Sequence, residues 1–142
     1  MKKLLSLGWL DSLAAGGPLL IRLAVGGAMV IHGSQKLFGD PGRFISFVEK
    51  IGFPAPTVFG WAAMAAEFFG GIALLLGLLT RWSAVFVAFT MGVAALIAHA
   101  NDGFSKQEYP LVLMLGALSL LASGGGAVAL DALLFARSKG RR

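Results

Sequence analysis

Val58-Phe59-Gly60-Trp61-Ala62-Ala63-Met64-Ala65-Ala66-Glu67-Phe68-Phe69-Gly70-Gly71-Ile72-Ala73-Leu74-Leu75-Leu76-Gly77-Leu78 is an apolar run with one charge near its middle. As a helix rising about 1.5 Å per residue, it is long enough for the roughly 30 Å hydrocarbon core of a bilayer. Glu67 is the exception. A carboxylate near the bilayer centre costs about 2.5–3.5 kcal/mol on insertion scales, so it is expected to face a protein interior and a partner. The reading of this stretch decides the fold class.

Composition agrees with a membrane chain. The 142 residues suffice for one domain; 57% are hydrophobic and 13% charged, against about 25% charged in an ordinary soluble domain. Mean hydropathy is +0.81. Twenty glycines suit helices that approach closely in lipid. Four segments read as spanning helices: 18–38, 57–78, 82–100 and 108–123. Pro18 favours a helix start, Pro54 and Pro56 interrupt the chain before the second span, and Gly124-Gly125-Gly126 ends the fourth. The connection 79–81 is a tight turn, so spans two and three are antiparallel neighbours. The expected fold is all-α, a polytopic membrane protein with an up-down bundle of four transmembrane helices.

The expected organisation is an interfacial N-terminal tail over residues 1–17 with Trp9 as a head-group anchor, a membrane domain over 18–135, and a basic tail over 136–142. Segments 39–56 and 101–107 read as the two longer loops, and 128–135 as an amphipathic surface piece. Lys2, Lys3, Arg22, Arg81, Arg137, Lys139, Arg141 and Arg142 fall on one side, against Lys36, Arg43, Lys50 and Lys106 on the other. That bias puts both termini in the cytoplasm of a bacterial inner membrane. The net charge of +5 sits largely in the basic tail, beside the bilayer, and no groove-reading motif accompanies it, which argues against nucleic acid. Arg22 is expected to snorkel to the head groups.

The absence of cysteine excludes disulfides, thiolate catalysis and iron–sulfur ligation by this chain. No P-loop, dinucleotide fingerprint or nucleophile elbow is present. The polar residues inside the spans gather instead toward one half of the bilayer. His32 lies about 9 Å below the outer end of span one. Lys36 is one turn above it on the same face, with Gln35 beside it. Glu67 lies about 15 Å deep in span two, His99 near the outer end of span three, and Glu108 at the start of span four. A pocket opening outward is the expected site, with Glu67, His32 and His99 as reactive groups. Lys36, Gln35 and Glu108 are its polar wall, and Trp61 and Phe68 its aromatic lining. The same residues also admit plainer roles: Glu67 as a packing ion pair or a protonated carboxyl bonded to a backbone carbonyl, His32 as a hydrogen-bonded core residue, His99 as an interfacial residue, Gln35 as an interhelical hydrogen-bonder, Lys36 as a head-group anchor and Glu108 as a favourable helix N-terminal charge.

The pieces His32-Gly33-Ser34-Gln35-Lys36-Leu37-Phe38-Gly39, Glu67-Phe68-Phe69-Gly70-Gly71, Leu76-Gly77-Leu78-Leu79-Thr80-Arg81 and Gly124-Gly125-Gly126 before Leu130-Asp131, with Gly52-Phe53-Pro54 between spans, together resemble the DoxX family of small four-helix bacterial membrane proteins. The resemblance covers about residues 18–135, and it departs at Ala129, where relatives often carry serine. It implies a redox-linked role, since relatives include the quinone-reducing subunit of a thiosulfate:quinone oxidoreductase. Another relative is linked to a membrane oxidoreductase complex with a sulfurtransferase and a superoxide dismutase. Quinone is therefore the first cofactor expectation. A haem or metal held by His32 and His99, with Glu67 and Glu108, is the second. A non-enzymatic membrane anchor or assembly factor is the third. A redox protein partner or a homo-oligomer is expected beside the lipid.

Overall fold

The computed structural model describes residues 6–7 and 13–135, and every regular element among them is helical. The long helices are α1 (Gly17–Phe38), α3 (Pro56–Leu76), α4 (Thr80–Val93) and α5 (Phe104–Ser123). Two short ones are α2 (Pro41–Lys50) and α6 (Leu130–Leu134), and α4 runs on into a π-helical turn, Ala94–Ala98. Counting that turn and the turn before α1, three helices are long and apolar enough to cross a membrane: Leu13–Phe38, Pro56–Leu76 and Thr80–Ala98. In α5 the opening turns carry Lys106, Gln107, Glu108 and an internal Pro110. The expectations for Trp9 and for the basic tail fall outside the described residues.

The segment 39–56, expected as a loop, instead contains α2. Asp40 caps it, its Oδ1 accepting from the Arg43 backbone N–H at 2.9 Å, and Pro41 occupies the first turn. Both signals were in the sequence. What disguised the helix is its length of 10 residues, which is marginal for a free helix and requires packing. Ile45 supplies that by lying where a Cβ on Gly60 of α3 would be, 2.8 Å from the Ile45 Cγ1.

α1 and α3 pack along most of their length, and small residues let their backbones approach. A Cβ on Gly33 would stand 2.5 Å from the Phe68 nitrogen, and one on Gly71 would stand 2.8 Å from the Val30 nitrogen. α4 packs on α3 and α5, and α5 also meets α1. Val25, Met29, Leu74, Val87, Met91, Leu113 and Leu120 fill the space between these helices.

One end of the molecule is a polar clasp. Arg22 is 2% exposed. Its Nε donates to the Leu74 carbonyl and its Nη2 to that of Leu75, each at 2.7 Å, while Nη1 donates to the carbonyls of Gly125 and Val128 at 3.0 and 3.2 Å. Arg22 therefore does not snorkel. The carbonyls at the C-terminus of α3 carry negative partial charge, so they hold the guanidinium inside. Nearby, Leu79 adopts φ 45°, a left-handed conformation costing roughly 1–2 kcal/mol. The Asp131 carboxylate offsets this by accepting from the Leu79 and Thr80 N–H groups at 2.6 and 2.8 Å. Arg81 donates to the Leu121 and Ala122 carbonyls at the end of α5.

Replacing Arg22 by Met leaves four carbonyls without this donor, and the variant is expected to lose about 3 kcal/mol or more of stability. Thermal unfolding in detergent measures it, and a melting temperature equal to wild type would show that the clasp is dispensable.

Candidate functional site

The end opposite the clasp holds a cavity of about 670 Å³. α1 contributes Met29, His32 and Lys36 to its wall, and α3 contributes Ala62, Ala63, Ala66 and Glu67. α2 closes it with Phe44, Phe47 and Val48, while His99, Lys106 and Tyr109 complete the polar end.

Glu67 is the deepest charge, 1% exposed. Its two oxygens accept from Lys36 Nζ at 2.6 and 2.7 Å. Helix geometry explains the meeting. The Gly33–Phe68 contact brings the backbones together one residue from Glu67 and three from Lys36, so a four-carbon lysine stem spans the remaining gap. Burying either ion alone is expensive, and removing one partner leaves an uncompensated charge. Lys36 Nζ also stands 4.5 Å from the Phe44 ring centroid, a cation–π distance. One ammonium thus joins α1, α3 and the α2 lid.

His32 packs its ring against Tyr109 of α5, with centroids 5.2 Å apart. His99 stands at the mouth. The π turn carries its backbone N–H to the Ala94 carbonyl at 3.0 Å, and such turns recur at functional sites. Its Nδ1 donates to Asp102 Oδ2 at 2.8 Å. Gln107 Nε2 donates to the His99 carbonyl at 2.8 Å and braces the same loop. The His99 hydrogen bond, followed by the Lys106 charge, holds the Asp102 carboxyl below its ordinary range. Asp102 is therefore an anion at neutral pH, and it orients the His99 ring through Nδ1.

Of the residues expected at the site, His32, Lys36, Glu67 and His99 share this cavity. The expectation fails for four others. Gln35 is exposed, because a step of one residue from Lys36 turns it about 100° around the helix. Glu108 is exposed for the same reason beside Tyr109. Trp61, 47% exposed, points outward from α3. Phe68 packs edge-on against Phe38 and Phe69, outside the cavity wall. Tyr109, Phe44 and Phe89 line the cavity and went unnoticed in the sequence. The signal for Phe44 was the apolar spacing 44, 47, 48, 51 after Asp40-Pro41. Tyr109 is the single tyrosine of the chain and sits beside Glu108, where only helical register distinguishes the two. Among the described residues, no three of His, Cys, Asp and Glu come together as a metal-binding group.

The site is thus an apolar cavity with an ion pair and two imidazoles in its wall, at one end of a chain with helices of membrane-crossing length. The DoxX family profile matches residues 17–100. The chain is 31% identical over 124 residues to "Putative oxidoreductase CatD" of Bacillus subtilis, covering 87% of this chain and 90% of that protein. It is 34% identical over 151 residues to "Uncharacterized membrane protein Rv3486" of Mycobacterium tuberculosis, covering 92% and 90%. It is 31% identical over 122 residues to "Inner membrane protein YphA" of Escherichia coli, covering 80% and 86%. No solved structure matches the chain. The chain belongs to the DoxX family and is a membrane protein whose apolar helices lie in lipid.

Two outcomes follow from the site's electrostatics. Lys36→Met strands Glu67 in the interior and is expected to cost about 3 kcal/mol, whereas Lys36→Met with Glu67→Leu removes both charges and recovers most of that loss. Equal melting temperatures for the single and double variants would show the pair to be uncoupled. Asp102 titrates below its unfolded value, so its contact with His99 is in place above the usual carboxylate range of about 3.9 and is lost as pH falls through the depressed value. The melting-temperature difference between wild type and Asp102→Asn should therefore shrink from about pH 6 to about pH 3; a difference that grows on acidification contradicts the assignment.

Proposed function

We propose that this chain is a quinone-reactive subunit of a membrane oxidoreductase. The observation that carries the reading is the cavity itself: about 670 Å³ of largely aromatic and aliphatic wall with the Lys36–Glu67 pair, His32 and His99 at its polar end. A quinone ring needs an apolar slot, and its carbonyl oxygens need donors. Two-electron reduction of a quinone consumes two protons and yields a hydroquinone, so the site must also deliver protons. Lys36, His32 and Tyr109 are the donors within the wall. Glu67 is the group that can accept and pass a proton within the buried pair, and His99 with Asp102 stands between the cavity and the loop surface. The chain has no cysteine for a thiol or iron–sulfur relay, and this reading assigns the supply of electrons to a redox protein partner. The name of the Bacillus subtilis relative, an oxidoreductase, fits the same chemistry.

In this reading α5 is a fourth span and the long helices form an up-down bundle, with its opening polar turn near the head groups. The Lys/Arg bias then places both termini, and the clasp, on the cytoplasmic side and the α2 end outside. The bacterial inner membrane is the corresponding compartment, as for the Escherichia coli relative.

In nanodiscs, decyl-ubiquinone is expected to raise the thermal midpoint of the wild-type protein. Glu67→Gln keeps the shape of the side chain and removes its charge. The variant is expected to insert normally yet lose about 10²-fold of quinone-reductase activity in membranes supplied with the native donor. Full activity in Glu67→Gln would reduce the ion pair to a packing element. Absence of a midpoint shift with any quinone analogue would leave an anchoring or assembly role in its place.

A further inference from the structure

The walls of the cavity differ in how they are sealed. Between α1 and α3 the backbones touch at Gly33 and Gly71, and nothing passes there. Between α3 and α4 the helices lie within van der Waals reach midway along: a Cβ on Gly70 would stand 3.5 Å from Val87 Cγ2, an ordinary contact. One turn toward the α2 end the two helices present a different pair of surfaces. α3 offers Ala62, Ala63 and Ala66, spaced to share one face, and α4 offers Phe86, Phe89 and Val93, spaced likewise. All six line the cavity. Phe86 and Phe89 are nevertheless 55% and 59% exposed on the outside of the molecule. Side chains that border the cavity and also stand on the outer surface mark where the cavity reaches that surface; Phe47 and Tyr109 do so at the α2 and loop end, 38% and 47% exposed, and Phe86 and Phe89 do so on the flank of the membrane-crossing helices. Both helices are of membrane-crossing length and hydropathy, so what lies outside this cleft is acyl chain.

We propose that the cavity is loaded sideways from the bilayer through the α3–α4 cleft. The ligand is a single-tailed amphipath: its oxygen-bearing head reaches Lys36 and Glu67, and its alkyl or isoprenoid tail stays between the alanine face of α3 and Phe89 of α4. The proposal rests on the quinone-reactive reading for the head group and adds the route and the tail site. The alanines give it a physical basis. Three methyl-sized side chains opposite two phenylalanines leave a slot beside the rings, whereas larger residues at those positions would interlock with them and close the wall. The α2 lid has the complementary task. Phe44, with its ring centroid 4.5 Å from the Lys36 ammonium, lies over the ion pair on the α2 side and narrows the polar end there.

Two measurements test the route. The first compares decyl-ubiquinone with its tail-less parent benzoquinone on wild-type protein and on Ala66→Phe in nanodiscs. Ala66→Phe is expected to weaken the decyl analogue by about tenfold while changing the tail-less compound less than about twofold. Equal weakening of both, or no change in either, overturns the proposal. The second uses an alkyl-diazirine fatty acid dissolved in the same bilayer and requires no quinone. Met29 and Met91 line the cavity and are 1% and 5% exposed, so annular lipid does not touch them. Photolabel on these methionines in wild type, lost in Ala66→Phe, supports lateral loading. Label confined to outward residues such as Trp82 and Leu96 overturns it, whatever the quinone measurement gives. Methionine labelling without binding of either quinone keeps the route and sinks the quinone reading instead.

Discussion

The close contact of α1 with α3 is the constraint on which the site depends. At Gly33 the two backbones approach so nearly that a Cβ would stand 2.5 Å from the Phe68 nitrogen. At that separation Lys36 of one helix and Glu67 of the other form a two-oxygen ion pair. In hydrocarbon the pair is obligatory in a way it would not be in water, because each ion alone carries a desolvation penalty of several kcal/mol. The glycines set the distance, the distance permits the pair, and the pair allows charge to exist inside the cavity.

The two ends of the molecule divide structural and chemical duties. At one end Arg22, Arg81 and Asp131 bind backbone groups: carbonyls at the ends of α3 and α5, and N–H groups at the start of α4. These are the groups a helix terminus leaves unpaired, and pairing them internally makes that end closed. At the other end Lys36, Glu67, His32 and His99 face a cavity, and their partners are side chains. Side-chain partners exchange protons and yield to a ligand more readily than backbone carbonyls do. The contrast supports assigning chemistry to the α2 end and anchorage to the clasp.

The burial of Glu67 was legible in the sequence because a lone carboxylate in an apolar helix has few physically tolerable environments, but its partner was one of several candidates. His32 and Lys36 were legible because they lie four residues apart and share a helix face with each other. Gln35 and Glu108 were misplaced by one residue of register, which on a helix is about 100°, while Tyr109 was overlooked by the same margin. The α2 lid was misread because ten residues is too short for periodicity to separate a helix from a loop, although Asp40 and Pro41 mark its start. Arg22 was read as a head-group anchor since nothing local reveals the carbonyls that receive it: Gly125 and Val128 lie more than a hundred residues away along the chain.

The sequence by itself determined that this is a helical membrane chain, where its long helices run, and that Glu67 needs a protein interior and a partner. Hydropathy, helix punctuation and the cost of a charge in lipid are local or nearly local properties, and a single chain displays them. Which cation and which rings were decided only by tertiary structure. Lys36 is chosen by the glycine contact and Phe44 by the way α2 folds back onto α3, while three alanines of α3 share the cavity wall with phenylalanines of α4. Each is a fact about distance between segments remote in sequence, set by side-chain volume and crossing geometry rather than by the identity of any one residue.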